Sequence, residues 1–304
     1  MRTRFRPDRR LTARMTLTVF LLGLVYVAFI AILVAVLRSW VAIVLIAGGV
    51  LAVQYWFSDR IALAGMHARI VEPQQQPRLH GVVDRLCAAA DMPKPRVAVA
   101  DTDLPNAFAT GRNTERAVVC VTTGLMRRLD TGELEAVLAH ELSHIAHRDV
   151  TVMTIASFLG VVAGLVTRFM FYSQMFGGRR RDGDQTYLLV VLVMAVSAVV
   201  YALSFLLIRA LSRYRELAAD RAGATLTGRP SVLASALTKL TGDMARIPTR
   251  DLRTAQPFNA LFFTPAVGAR PSLATLLSTH PSLQQRLDQL AVISTELAEA
   301  TPEP

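Results

Sequence analysis

The sequence predicts an α+β, multi-pass helical membrane protein whose part outside the membrane is mainly helical, with a small antiparallel sheet. Three observations predict this fold class. Four long apolar runs occur as two pairs, separated by a polar stretch. Short segments of β-branched and small residues occur within that stretch. The hydrophobic fraction of 52% and the mean hydropathy of +0.38 exceed those of an ordinary soluble domain.

The first pair of apolar runs follows an arginine-rich N-terminus. Residues 1–15 contain six arginines and one aspartate. Residues 16–37 carry no charge and would form a helix about 33 Å long, which is enough to cross a bilayer. Because a second run covers residues 40–57, residues 1–57 are predicted to be a basic segment and a transmembrane hairpin with both ends in the cytoplasm. A cleaved signal peptide is the alternative, but the run is too long and no small-residue cleavage site follows it.

Residues 58–150 are predicted to be cytoplasmic, with alternating helix and strand signals. An amphipathic helix is expected over 77–90, and strands over 96–100 and 117–121, with a weaker third strand over 108–110. Cys87 and Cys120 lie in these apolar segments. We expect both to be buried thiols in a reducing compartment, with a disulfide or a thiolate ligand as the less favoured interpretation.

A zinc-binding pattern follows the predicted sheet. Asp130 and Glu133 have the spacing of a helix N-cap and its capping-box partner. On that helix His140 and His144 are four residues apart, so both imidazoles lie on one face and can reach a single metal ion. Glu141, between them, is suited to activate a metal-bound water. The alternative is a surface helix with two unrelated histidines.

The second pair of apolar runs, within residues 151–211, is predicted to form another hairpin. Its runs cover 151–167 and 187–208, joined by a loop that contains three consecutive arginines over 177–184. If both runs span the membrane, this arginine-bearing loop lies outside the cell, which goes against the positive-inside bias. The third run, 151–167, could therefore instead be buried in protein or tilted. Glu141 and its neighbours would still face the cytoplasm, because the N-terminal arginine excess is larger.

Residues 212–304 are predicted to form the C-terminal soluble part, with a long loop over 243–272 and a final helix over 281–300. A catalytic zinc ion needs a third protein ligand, usually from a separate helix. Glu216 is a candidate, with Asp220 four residues later on the same face. A solvated run of charges is the alternative. His147 is expected about 10 Å from His140 along the helix axis, too far to share its metal.

These motifs together resemble the HtpX family of membrane zinc metalloproteases. The resemblance covers nearly the whole chain, including the two apolar hairpins. The matching segments are His140-Glu141-Leu142-Ser143-His144 with Arg148-Asp149, Ser212-Arg213-Tyr214-Arg215-Glu216 with Ala219-Asp220, Asn106-Ala107-Phe108-Ala109-Thr110-Gly111, and Ser278-Thr279-His280-Pro281 with Arg286.

The resemblance implies a role for each matching position. His140, His144 and Glu216 would bind one Zn²⁺ per chain, with Glu141 as the general base. By the same resemblance His280 would be catalytic and would stabilise the oxyanion. From the residues alone, a structural role for this loop histidine is an equally good interpretation. The remaining implied roles are support of the metal site by Asp220 and Arg286, and binding of substrate along an edge strand by Asn106, Phe108, Ala109 and Thr110.

The expected function is therefore a membrane-embedded zinc endopeptidase that hydrolyses misfolded or damaged membrane proteins. Its expected partners are polypeptide substrates and the lipid bilayer of the plasma membrane. The +10 net charge is attributed to topology and lipid headgroups, because no nucleic-acid motif accompanies it.

Three other classes of protein fit the sequence less well. A prenyl-protein protease would be expected to have more spans, and a structural zinc scaffold would usually have four ligands, often cysteines. A transporter or channel is disfavoured because no charge interrupts the middle of an apolar run.

Overall fold

The computed structural model describes residues 9–36, 40–154, 156–157, 160, 162–164, 167, 184–246 and 280–300. The chain divides into two compact units. The first consists of Met1–Thr12, Phe57–Thr151 and Ser212–Pro304, and the second of Ala13–Trp56 and Val152–Leu211. Most of the predicted arginine-bearing loop 177–184 and of the predicted loop 243–272 lies outside the described residues.

The second unit is built from apolar helices: α1 (Arg9–Val36), α2 (Trp40–Trp56) and the beginning of α7 (Asp184–Thr227). By length and composition, α1 and α7 could each cross a membrane, and only 17% and 22% of their most apolar windows are buried. A core helix of a soluble protein would be mostly buried. The described residues of the third apolar run are helical as well.

Close packing within the second unit is made by small and aromatic side chains. Phe29 is fully buried, and the Tyr26 hydroxyl donates a hydrogen bond to the Ala156 carbonyl. A Cβ on Gly164 would lie 3.3 Å from the Tyr201 ring. Small residues let helices approach in this way, so the described part of the third run packs tightly on α7.

Helix α7 joins two segments that the sequence pattern separates. The apolar run over 187–208 and the polar stretch from Ser212 form one uninterrupted helix of 44 residues. No proline occurs within it, and its only glycine, Gly223, lies near the C-terminal end. The predicted metal ligand Glu216 therefore lies on the direct continuation of an apolar helix.

The sheet of the first unit is mixed, so the predicted antiparallel sheet is wrong in one pairing. Its strands β1 (Ala68–Ile70), β2 (Arg96–Ala100), β3 (Ala107–Thr110) and β4 (Val118–Thr122) have the order β1-β2-β4-β3. The pairs β1–β2 and β3–β4 are antiparallel, but β2 and β4 are parallel. After β2 the chain forms β3 at the edge of the sheet, and it then turns back to form β4 between β2 and β3. Strand β4 therefore runs antiparallel to β3 and parallel to β2. Strand β1 was not predicted.

Helices cover both faces of this sheet. The main core contains α4 (Pro77–Ala90), α6 (Thr131–Ala146), α8 (Pro230–Arg246) and α9 (Leu283–Ala300), and Val119 and Val121 face it from the sheet. The short helix α5 (Thr123–Arg128) follows β4, and α3 (Ser58–Gly65) covers the opposite face, where Phe108 and Cys120 are buried. Helix α4 has its predicted bounds, whereas α9 begins two residues later than predicted.

Both cysteines are free and buried, as predicted. Burial raises the pKa of Cys87 to about 11 and the pKa of Cys120 to about 12. Both thiols are therefore protonated near neutral pH.

Candidate metal centre

The metal-motif helix α6 is fixed at its start by the predicted capping box. The Glu133 backbone N–H donates to Asp130 Oδ1 at 2.8 Å, and the Asp130 N–H donates to Glu133 Oε2 at 3.1 Å. Glu133 also accepts hydrogen bonds from Ser235 at 2.9 Å and from Lys239 at 2.6 Å, both on α8. One glutamate thus caps α6 and joins it to α8.

Helices α6 and α7 make backbone contact beside the first predicted ligand. A Cβ on Gly223 would lie 2.8 Å from the backbone nitrogen of His140, closer than real Cβ contacts. Because Glu216 lies seven residues before Gly223, it falls close to the same face of α7. This close crossing brings the Glu216 carboxylate to the two histidines of α6.

Potential ligand atoms of His140, His144 and Glu216 lie within 4.8 Å of one another and form what we call the ligand triangle. The Nε2 atoms of His140 and His144 are 3.2 Å apart; Glu216 Oε2 lies 3.6 Å from the first, and Glu216 Oε1 lies 3.5 Å from the second. Two donor atoms that each lie about 2.1 Å from a tetrahedral zinc ion are about 3.4 Å apart. The residues present therefore fit a zinc ion that retains a fourth, open position.

A buried carboxylate holds the outer nitrogen of His140. Asp220 Oδ1 is 2.9 Å from His140 Nδ1, and Asp220 accepts two hydrogen bonds from Arg286, at 2.6 and 2.7 Å. Burial alone lowers the pKa of His140, but its interactions with Asp220 and Glu216 outweigh burial and raise the pKa to about 9. The Nε2 atom of His140 is thus directed towards the ligand triangle.

His144 has a separate carboxylate partner, which the sequence analysis did not assign. Its Nδ1 is 2.5 Å from Asp149 Oδ2, and Arg215 lies 2.9 Å from the same oxygen. Burial raises the pKa of Asp149, but the nearby Arg215 and His144 outweigh burial and hold it well below its usual range. The only sequence signal for this contact was the Arg148-Asp149 pair within the family motif.

Glu141 is buried beside the ligand triangle, with 4% of its surface exposed. Burial raises the pKa of Glu141, and the Glu216 carboxylate adds to that rise, while both histidines and a hydrogen bond from the Ala109 backbone N–H oppose it. The net pKa is raised. A carboxylate of raised basicity next to a metal position can accept a proton from water.

His280 approaches the same cluster from the segment before α9. Its Nδ1 lies 3.4 Å from Glu216 Oε2, and 3% of its side chain is exposed. His280 therefore joins the cluster on the side of Glu216. In contrast, His147 is exposed at the end of α6, outside the ligand triangle.

The predicted substrate strand β3 lies at an edge of the sheet, against α6. The side chains here mostly serve the fold: Phe108 is buried on the α3 face, and Asn106, just before β3, is fully buried and pairs through its backbone with Thr122. Thr110 donates to the Ser58 carbonyl at 3.5 Å. Contacts from β3 to a peptide would therefore be made mainly by its backbone, near Ala109.

Comparisons with known proteins agree with the resemblance seen in the sequence. The profile described as Peptidase family M48 matches residues 73–294. "Protease HtpX homolog 1" of Streptomyces coelicolor is 69% identical over 301 residues, which is 99% of this chain and 98% of that protein. "Protease HtpX homolog" of Moorella thermoacetica is 52% identical over 98% of this chain and 99% of that protein.

A solved structure has a similar fold. The crystal structure of S. mikatae Ste24p aligns with a TM-score of 0.52 at 18% identity, covering 93% of this chain and 66% of that one. At this identity the likeness shows the fold alone. The profile and the two relatives show the family: this chain belongs to peptidase family M48, as a metallopeptidase of the HtpX type.

Proposed function

We propose that this chain is a zinc-dependent endopeptidase of the plasma membrane, acting on misfolded or damaged membrane proteins. The observation that carries this proposal is the ligand triangle of His140, His144 and Glu216, with the buried Glu141 beside it. Two imidazoles and one carboxylate are a ligand set of catalytic zinc sites, which keep one position open.

The metal would supply Lewis-acid chemistry: a bound zinc ion lowers the pKa of water and polarises the scissile carbonyl. Glu141 then acts as general base, taking a proton from the attacking water at its carboxylate and passing that proton to the leaving amine. The backbone of Ala109 lies close enough to Glu141 to favour the charged form of that carboxylate.

His280 is assigned to the oxyanion. Its Nδ1 lies 3.4 Å from Glu216 Oε2, beside the ligand triangle where a polarised carbonyl oxygen would be bound. Arg286 has a different role in this proposal. Because two of its nitrogens donate to Asp220, which contacts His140, it supports the orientation of His140.

The substrate is proposed to bind in extended form along β3. An edge strand presents backbone N–H and C=O groups on its free side, and an added peptide strand can pair with them. Ala109 connects this strand to the chemistry, since its N–H reaches Glu141. Recognition through the backbone suits a quality-control protease, because it depends little on substrate sequence.

A multi-pass arrangement with the metal centre facing the cytoplasm is part of the same proposal. It is supported by the two apolar helices α1 and α7, of whose most apolar windows only 17% and 22% are buried, and by the six arginines of residues 1–15. Helix α7 continues from its apolar part directly to Glu216. Membrane proteins are thus the substrates that this protease would meet most readily.

The decisive experiment compares the purified full chain in detergent with its Glu141→Gln variant, using an unfolded test protein as substrate. We expect about one zinc per chain in both proteins and cleavage by the wild type alone, because the substitution removes the base but none of the ligands. Stoichiometric zinc without cleavage by either protein would favour a structural zinc scaffold. Absence of zinc from both would refute the metal centre.

A further inference from the structure

We propose that Asp149 and Arg215 form a strut that positions His144 for the metal. This inference rests on the zinc centre proposed above. The strut consists of two contacts at one oxygen atom: Asp149 Oδ2 lies 2.5 Å from His144 Nδ1 and 2.9 Å from an Arg215 guanidinium nitrogen. It holds the outer nitrogen of the imidazole, so that Nε2 is directed towards the ligand triangle.

The backbone after α6 is shaped so that Asp149 can return to His144. Helix α6 ends at Ala146, and Arg148 follows with a φ of +54°, in the left-handed region that non-glycine residues rarely adopt. Asp149 follows this residue and lies beside a histidine five residues earlier. The strained conformation at Arg148 is consistent with a specific use for the residue that it positions.

Arg215 gives the strut its charge balance and its connection to α7. Asp149 is 6% exposed, and a buried carboxylate needs a counter-charge to remain ionised. Arg215 provides it, with 13% of its own side chain exposed. Because Arg215 directly precedes Glu216, the strut ties the end of α6 to α7 at the position of the third ligand.

The strut is separate from the Asp220–Arg286 pair, which acts on His140. Each of the two ligand histidines has its own aspartate, and each aspartate has its own arginine. Residues within one pair should therefore show strongly coupled effects on metal binding.

The test measures zinc affinity by competition with a chelator, and the visible spectrum of the cobalt-substituted protein, on the full chain in detergent. Asp149→Ala should weaken zinc binding about 10- to 100-fold and shift the cobalt absorption bands, because the His144 ring is no longer oriented. Asp149→Asn should recover part of the affinity, since its amide oxygen can still accept the Nδ1 hydrogen. Adding Arg215→Met to Asp149→Ala should cause no further loss.

Glu296→Gln is the matched control. It breaks the exposed ion pair Arg221–Glu296, whose arginine is also on α7 and whose glutamate is on α9. It should leave affinity and spectrum unchanged.

The outcomes separate the strut from the metal centre itself. If the wild type binds zinc but Asp149→Ala and Arg215→Met bind it equally well with unchanged cobalt spectra, the strut is refuted and the centre stands. If the wild type binds no zinc, the centre fails. Should Asp149→Ala not fold, Asp149→Asn and Arg215→Met decide: unchanged affinity in both refutes the strut, and a loss in both supports it.

Discussion

At the scale of single residues, the candidate metal centre is a buried network of charges in which each candidate ligand histidine contacts an aspartate through its Nδ1. Asp220 is fully buried between His140 and Arg286. Such a carboxylate is tolerated in the interior only because its partners neutralise it and fill its hydrogen-bonding capacity. Removing one partner should therefore cost much more than breaking a pair at the surface.

Arg286→Met tests this burial cost. The substitution leaves Asp220 without its guanidinium, and we expect a loss of about 3–5 kcal/mol in the free energy of unfolding. Chemical denaturation of the detergent-solubilised protein measures it. The control is Arg221→Met, which breaks the exposed pair with Glu296 and should cost less than about 1 kcal/mol. Equal costs for the two variants would contradict the assignment of Arg286 as a buried partner.

The two cysteines give a second prediction at this scale. Because burial raises both pKa values, to about 11 and about 12, the thiols are protonated at pH 8 and enclosed in the core. A thiol reagent at pH 8 should react slowly with the folded chain and rapidly with both cysteines in denaturant. Rapid reaction of one thiol in the folded chain would show that its segment is open to solvent.

At the scale of secondary-structure elements, the close crossing of α6 and α7 decides whether the three ligands meet. Gly223 allows backbone contact with His140, and the capping residue Glu133 ties α6 to α8. The ligand triangle thus depends on a missing side chain as much as on the ligands that are present.

Gly223→Ala should separate the two helices. The added Cβ would lie 2.8 Å from the backbone nitrogen of His140, so the clash can be relieved only by a shift of the backbone. Both the stability of the protein and its zinc affinity should therefore fall. Gly242→Ala on α8 is the control, because nothing lies within 4 Å of its Cβ. There alanine should be neutral or stabilise the helix by up to about 1 kcal/mol. Wild-type zinc affinity in Gly223→Ala would contradict the importance of the crossing.

At the scale of the whole molecule, the composition of α1 and α7 predicts stable membrane insertion. Large apolar side chains such as Leu17, Phe20, Leu188 and Val199 are each more than half exposed in the protein alone. Moving this apolar surface from water into the lipid bilayer lowers the free energy. The chain should therefore stay in the membrane fraction after an alkaline wash and require detergent for release. Release by alkali would contradict insertion.

Orientation is tested separately. With the N-terminal arginines in the cytoplasm, a fluorescent protein fused to the C-terminus should fold and fluoresce in cells, whereas a phosphatase that needs export should be inactive there. The reverse result would place the metal centre outside and contradict the proposed topology.

Much of the architecture could be predicted because its causes are local. The 3.6-residue repeat aligns His140 with His144, and the capping box starts their helix. The length of the uncharged segments predicts the apolar helices. The order of the strands was not predictable in this way. Whether β4 lies next to β2 depends on competing pairings between segments of similar β propensity, which only packing against α3, α4 and α6 resolves.

The sequence by itself therefore determined which residues are the candidate metal ligands, the helix that carries two of them, and the apolar segments. Only the tertiary structure decided which contacts the supporting side chains make, and it added Asp149 to them. Arg286 meets Asp220 from 66 residues away, and Asp149 reaches His144 after a left-handed residue at Arg148. The physical reason is range: periodicity and capping act over one or two helical turns, whereas buried charge pairs form between segments that come together only when the core packs.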